Sequence, residues 1–121
     1  MNVFSKWIEL EKYYQEKQKG LALIVKKHGL ELNSFYVLYY LNEAPEQALK
    51  LNNLEDVINL SQSALSRLIT RLENSSCGVI ERTACITDNR CIYLTITDKG
   101  KKMLEETMLD INKWLVIRKE L

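Results

Sequence analysis

The sequence predicts a mainly α-helical chain with one small β-hairpin, an α+β domain. Three observations carry this. Apolar residues recur at three- and four-residue steps through residues 3–28, 61–74 and 98–115, the period of an amphipathic helix. One stretch, residues 79–96, instead has two β-branched-rich flanks around a polar centre, the pattern of a hairpin. Finally, 121 residues with 46% hydrophobic and 27% charged side chains, four glycines and one proline hold enough apolar material for one core and few helix breakers.

Taken in order, residues 3–28 form one long helix. Phe4, Trp7, Tyr14, Leu21 and Val25 share a stripe that Glu11, Gln18 and His28 complete, while Lys12, Lys17, Lys19, Lys26 and Lys27 occupy other faces. Gly20 weakens the middle or marks a close contact, and Gly29 ends the helix as a C-cap. Such a helix needs a second helix, from this chain or another copy, to cover its stripe. Asn33 or Ser34 caps a second helix, Phe35 to Leu41, with Phe35, Leu38, Tyr39 and Leu41 as core. Residues 42–47 turn around Pro45, and Ala48 to Leu51 form a short edge strand.

Asn53 then caps a short helix whose Leu54, Val57 and Ile58 face inward, and Asn59 supplies a left-handed turn, a conformation Asn tolerates. Ser61 is the N-cap of the next helix. Ala64, Leu65, Leu68, Ile69 and Leu72 gather on its buried stripe, leaving Ser63, Ser66, Arg67, Thr70 and Asn74 outside. Small hydroxyls and arginines can approach base edges and phosphates closely. Two helices, a tight turn and this polar face make a helix-turn-helix.

Gly78 closes the helix, and Val79 to Ile86 and Cys91 to Ile96 pair across Thr87-Asp88-Asn89-Arg90. A hairpin directly after such a helix is the wing of a winged helix. Thr97 caps the last helix, whose stripe is Met103 or Leu104, Met108, Ile111 and Leu115. Long helices at both ends suggest a homodimer of intertwined arms, with Phe4, Trp7, Tyr14, Leu104, Met108, Ile111 and Leu115 at its interface. The expected layout is an N-terminal dimerisation helix (1–32), a winged region (33–97) and a C-terminal dimerisation helix (98–121) within one structural domain.

The net charge of +1 gives no strong electrostatic footprint. Acidic residues dominate from Glu31 to Leu60, whereas Arg67, Arg71, Arg82 and Arg90 follow, nearly cancelled by Glu73, Glu81 and Asp88. No apolar run is long enough to span a membrane and no signal-peptide pattern opens the chain, so the expected location is the cytoplasm. Cys77, Cys85 and Cys91 form no C-x-x-C pair, which supports neither a disulfide framework nor a metal site. A two-residue turn at Asp88-Asn89 sends Cys85 and Cys91 to opposite faces; a three-residue loop sets them opposite each other and within reach of a redox pair. His28 belongs at a helix end. The aromatics Trp7, Tyr13, Tyr14, Tyr39, Tyr40 and Trp114 read as core or dimer interface. No nucleophile–base pair or phosphate-binding loop points to an enzyme or a cofactor.

These pieces resemble the multiple-antibiotic-resistance regulator (MarR) family of winged-helix transcription factors. The most specific are residues 59–73, Val-Ile-Glu-Arg (79–82), Asp-Asn-Arg (88–90) and Leu-Thr-Ile-Thr-Asp-Lys-Gly (94–100), in the family's order. The resemblance implies a sequence-specific regulator, a repressor, bound to double-stranded DNA as a homodimer at a pseudo-palindromic operator and released by a small-molecule effector or a redox signal. It carries Ser61, Gln62, Ser63, Ser66 and Arg67 onto base- and phosphate-contacting helix positions, with Thr70 and Arg71 as further DNA-binding candidates, and Asp88 and Arg90, with Asn89 between them, onto the family's wing Asp-x-Arg, where the aspartate holds the arginine or braces the loop. An arginine at a hairpin tip suits the narrow, negative minor groove. The alternative, favoured by near-neutral charge, is a winged-helix module that binds another protein and no DNA.

Overall fold

The computed structural model describes residues 2–74, 77–84 and 91–118. The first helix, α1 (Val3–Lys27), starts at Asn2, whose side chain accepts from the Phe4 N–H. It ends where the Gly29 N–H donates to Lys26 and the Leu30 N–H to Val25, with Gly29 at φ +80°. That is the double closure of a left-handed C-terminal glycine. Val25 and Leu30 are both buried, so the closure also turns the chain into the core.

The second helix, α2 (Leu32–Glu43), begins earlier than expected, because Phe35 N–H donates to the Glu31 carbonyl and no side chain caps it. Asn33 and Ser34 therefore lie inside the helix, Ser34 fully buried. Phe35, Val37, Leu38 and Leu41 fill the core, while Tyr39 is 39% exposed and is not a core residue. The chain then turns through Pro45–Gln47, where Glu46 and Gln47 hold left-handed backbone. Asn42 accepts from the Gln47 side chain across this turn.

Strand β1 (Ala48–Lys50) leads into α3 (Leu51–Val57), α4 (Gln62–Glu73), β2 (Ile80–Ala84), β3 (Ile92–Ile96) and α5 (Asp98–Arg118). The strands form one antiparallel sheet in the order β1-β3-β2. Leu49 faces Leu94, and Ile80 faces Ile96. The expected edge strand thus completes the wing's sheet on its inner side. Leu54, Ile58, Leu65, Leu68, Ile69, Leu72, Val79, Ile80 and Leu94 join α2 in the core, each at most 4% exposed. Each buried aliphatic side chain stabilises the fold by roughly 1.5–3 kcal/mol relative to exposure.

Asn53 sits within α3, which starts after Lys50 without a side-chain cap, and Val57 is 48% exposed, not core. Asn59 is not left-handed: the turn is made by extended backbone at Ile58 and a Leu60 N–H to Ile58 carbonyl bond. α5 begins as expected at Thr97, whose hydroxyl accepts from the Gly100 N–H and donates to the Gly78 carbonyl. A Cβ on Gly100 would collide with the Val79 carbonyl, so only glycine lets α5 lie against the root of the wing. Further along, the Trp114 ring lies over Gly20, 2.8 Å from where a Cβ would stand. Gly20 is thus the close contact between α1 and α5.

Candidate nucleic-acid interface

α4 carries the densest set of candidate residues. Its start is fixed by Ser61, which accepts from the Ala64 N–H at 3.2 Å and lies 3.4 Å from the Ser63 hydroxyl. Ser61 is therefore a structural cap as well as a candidate contact. Leu65, Leu68, Ile69 and Leu72 anchor the inner face, and Gln62, Ser63, Ser66, Arg67, Thr70 and Arg71 are all exposed on the outer one. The Thr70 hydroxyl donates to the Ser66 carbonyl at 3.0 Å, so it offers outward its lone pairs and methyl group. Arg67 makes no ion pair among the described residues and its guanidinium is left for a partner.

The other two arginines near this helix are engaged. Arg71 lies 3.6 Å from Glu31 at the start of α2. Arg82, in β2, forms a 2.7 Å ion pair with Glu73, the last residue of α4, with both side chains about 70% covered. Neither pairing is local in sequence, and only the fold brings them together.

The wing extends from this base. β2 and β3 pair from Ile80 opposite Ile96 to Ala84 opposite Ile92. Asp88, Asn89 and Arg90, and Cys85 beside them, lie outside the described residues. Cys77 is a free thiol.

A second feature lies away from α4. A groove of about 580 Å³ runs between α1, α2 and α5, its lining including Tyr13, Tyr14, Tyr36, Tyr39, Tyr40 and Trp114. Burial pushes the Tyr36 phenol above its usual range, so it stays protonated. Of the residues expected at a dimer interface, Phe4, Trp7 and Tyr14 are 58–62% exposed. Leu104 and Ile111 are already buried within their own chain, which leaves them little area for a partner; Met108 and Leu115 are half-buried. At the far end of α1, His28 Nε2 lies 2.6 Å from Asp110 Oδ2 of α5. This bond, with the positive charges of Lys113 and Lys27, holds the Asp110 carboxyl below its usual range.

A cap, an apolar inner stripe, an exposed Ser/Arg face and a hairpin packed on the same helix are the parts of a winged helix-turn-helix. Residues 19–107 match the sequence profile of the transcriptional regulators SarA/Rot. The chain belongs to the SarA/Rot family of transcriptional regulators. Similar proteins agree with this. The HTH-type transcriptional regulator BilQ of Clostridioides difficile (strain CD3) is 28% identical over 90 residues, 74% of this chain and 58% of its own. Transcriptional repressor MprA of Escherichia coli (strain K12) is 27% identical over 85 residues, 70% of this chain and 47% of its own. The chain spans about half the length of these curated relatives. The crystal structure of Sco3205, a MarR family transcriptional regulator from Streptomyces coelicolor, in complex with DNA, matches 100% of this chain and 79% of that one at a TM-score of 0.76 and 21% identity. That likeness shows the MarR winged-helix fold. This member of the SarA/Rot family accordingly has the winged-helix fold.

The α4 face and the terminal arms were legible from spacing. The roles of Glu31, Glu73 and Tyr36 are not legible there, because the sequence carries no signal for an ion-pair partner forty or nine residues away or for the wall of a groove.

Proposed function

We propose that the chain is a sequence-specific DNA-binding repressor that acts as a homodimer on a pseudo-palindromic operator with half-sites about one helical turn apart. The observation that carries this is the outer face of α4, where Gln62, Ser63, Ser66 and Arg67 are exposed on a helix anchored by four buried aliphatic residues. Arg67 takes a guanine edge or phosphate, and Ser63 and Ser66 approach the neighbouring bases. Thr70 and Arg71 reach the flank, and Asp88, Asn89 and Arg90 take the wing into the minor groove.

The exposed Phe4, Trp7 and Tyr14 of α1, with Met108 and Leu115, support dimerisation through the terminal helices, the arms also containing Leu104 and Ile111. The tyrosine-lined groove beside those helices is where a small-molecule effector would shift the arms and so the spacing of the two α4 helices. A redox signal through Cys85 and Cys91 is the other route to release. Among the described residues no helix is long and apolar enough to cross a membrane, which accords with action on the chromosome in the cytoplasm.

The test is duplex binding across a salt series. A steep linear fall of log affinity with log salt is expected, and Arg67→Ala should weaken binding by about 10- to 100-fold, as loss of a good base contact does. Absence of binding at low salt would contradict the reading.

A further inference from the structure

We propose that Glu73 and Arg82 are positioning residues that set the angle of the wing against α4, and that Arg82 is a brace rather than a DNA contact. This rests on the DNA-binding reading above. Strand alternation puts Arg82 on the same side as Ile80, and Ile80 is buried in the core at 1% exposure. Arg82 thus points towards α4, where the Glu73 carboxylate meets it at 2.7 Å. One residue before Glu73 and three before Arg82, the Val79 N–H donates to the Leu72 carbonyl at 3.1 Å. The base of the hairpin is therefore held to the last turn of α4 at two successive points, one backbone and one side-chain. Beyond Arg82, Thr83 and Ala84 are exposed, so the ion pair is the outermost of these two ties.

The geometry has a functional consequence. A helix in the major groove and a hairpin in the adjacent minor groove engage together only if their offset matches the duplex. A tie at the root of the hairpin fixes that offset before binding, which removes an ordering cost from association. Both side chains are about two-thirds or more covered, so the pair is less screened than a fully exposed one. Removing one partner also leaves the other partly desolvated and unmatched.

The sign of one substitution decides between brace and contact. Glu73 is an acidic residue close to the DNA-facing helix. If it has no positioning role, Glu73→Gln removes repulsion from phosphate and tightens binding. As a brace, Glu73→Gln weakens operator binding by about 5- to 20-fold, a size usual for the coupling of residues in direct contact. It also flattens the salt dependence as wing contacts with phosphate are lost. Arg82→Ala should weaken binding by a similar factor, and the double variant no more than either single one. Arg82→Lys, which keeps the charge but not the two-pronged geometry, should fall between wild type and Arg82→Ala. The exchange Glu73→Arg with Arg82→Glu should recover part of the lost affinity.

The experiment measures duplex affinity and salt slope for these full-length variants, with thermal unfolding alongside to compare folded protein. Tighter or unchanged binding by Glu73→Gln overturns the brace, as does a near wild-type Arg82→Lys beside a strongly weakened Arg82→Ala, the mark of a direct phosphate contact. A wild-type chain that binds no duplex at low salt overturns the DNA-binding reading and this inference with it; wild-type binding with a tighter Glu73→Gln overturns the inference alone.

Discussion

α4 and the first half of α1 are both amphipathic helices, yet their apolar stripes have opposite fates. On α4, Leu65, Leu68, Ile69 and Leu72 are all at most 4% exposed, covered by their own chain. On α1, Phe4, Trp7, Leu10 and Tyr14 are 58–62% exposed. The same periodicity therefore serves two ends. In α4 it fixes a rigid helix that presents a polar face, and in α1 it leaves an apolar face larger than scattered surface residues require. The first is a folding element, and the second is the face assigned to assembly in the proposed dimer.

Substitutions should separate the two. The largest effect is expected from Leu68→Ala, which opens a cavity in the core and should destabilise the protomer by about 2–5 kcal/mol. Chemical denaturation would show it as a lower midpoint with an unchanged slope. Trp7→Ala should do the reverse. Protomer stability should stay within about 0.5 kcal/mol, while dimer dissociation measured by sedimentation should rise by about 10-fold or more, the loss typical of a large aromatic anchor. If Trp7→Ala unfolds the protomer, the division between the two helices is wrong.

How much of this the sequence revealed follows the same division. Local signals were readable: the Ser61 cap, the α4 stripe, the Thr97 cap and the β-branched flanks of the hairpin each depend on neighbours a few residues apart. Asn33, Ser34 and Asn53 are not caps: α2 and α3 start earlier, after Glu31 and Lys50, with no side-chain cap at either, and Phe35 and Leu54 are packed into the core. At Asn59 no left-handed backbone is needed, because the extended backbone at Ile58 makes the turn. The pairs Arg71–Glu31 and Arg82–Glu73 depend on tertiary contact. No local spacing could have named them. The distinction between a covered and an uncovered stripe was equally hidden, since a helix period reports a face and not what lies against it.

Smaller effects sharpen the picture. Ser61→Ala should cost about 1 kcal/mol, the usual loss of an N-cap, and should be visible in thermal unfolding without changing assembly. The His28–Asp110 bond joins α1 to α5, and the Asp110 carboxyl is held below its ordinary value of 3.8. Its stabilising contribution is complete above that ordinary value and is lost as pH falls through the lower folded-state value. Asp110→Asn should therefore remove part of the acid-limb slope of stability and leave the neutral range nearly flat. An identical acid limb in the variant would show that the bond contributes nothing measurable.

The most direct test of the central claim is selection of duplexes from a random-sequence pool by the full-length protein. The account predicts enrichment of a pseudo-palindrome whose two halves lie about one helical turn apart, with the enriched bases altered when Ser66 or Arg67 is replaced. A pool that stays random after repeated selection would contradict it.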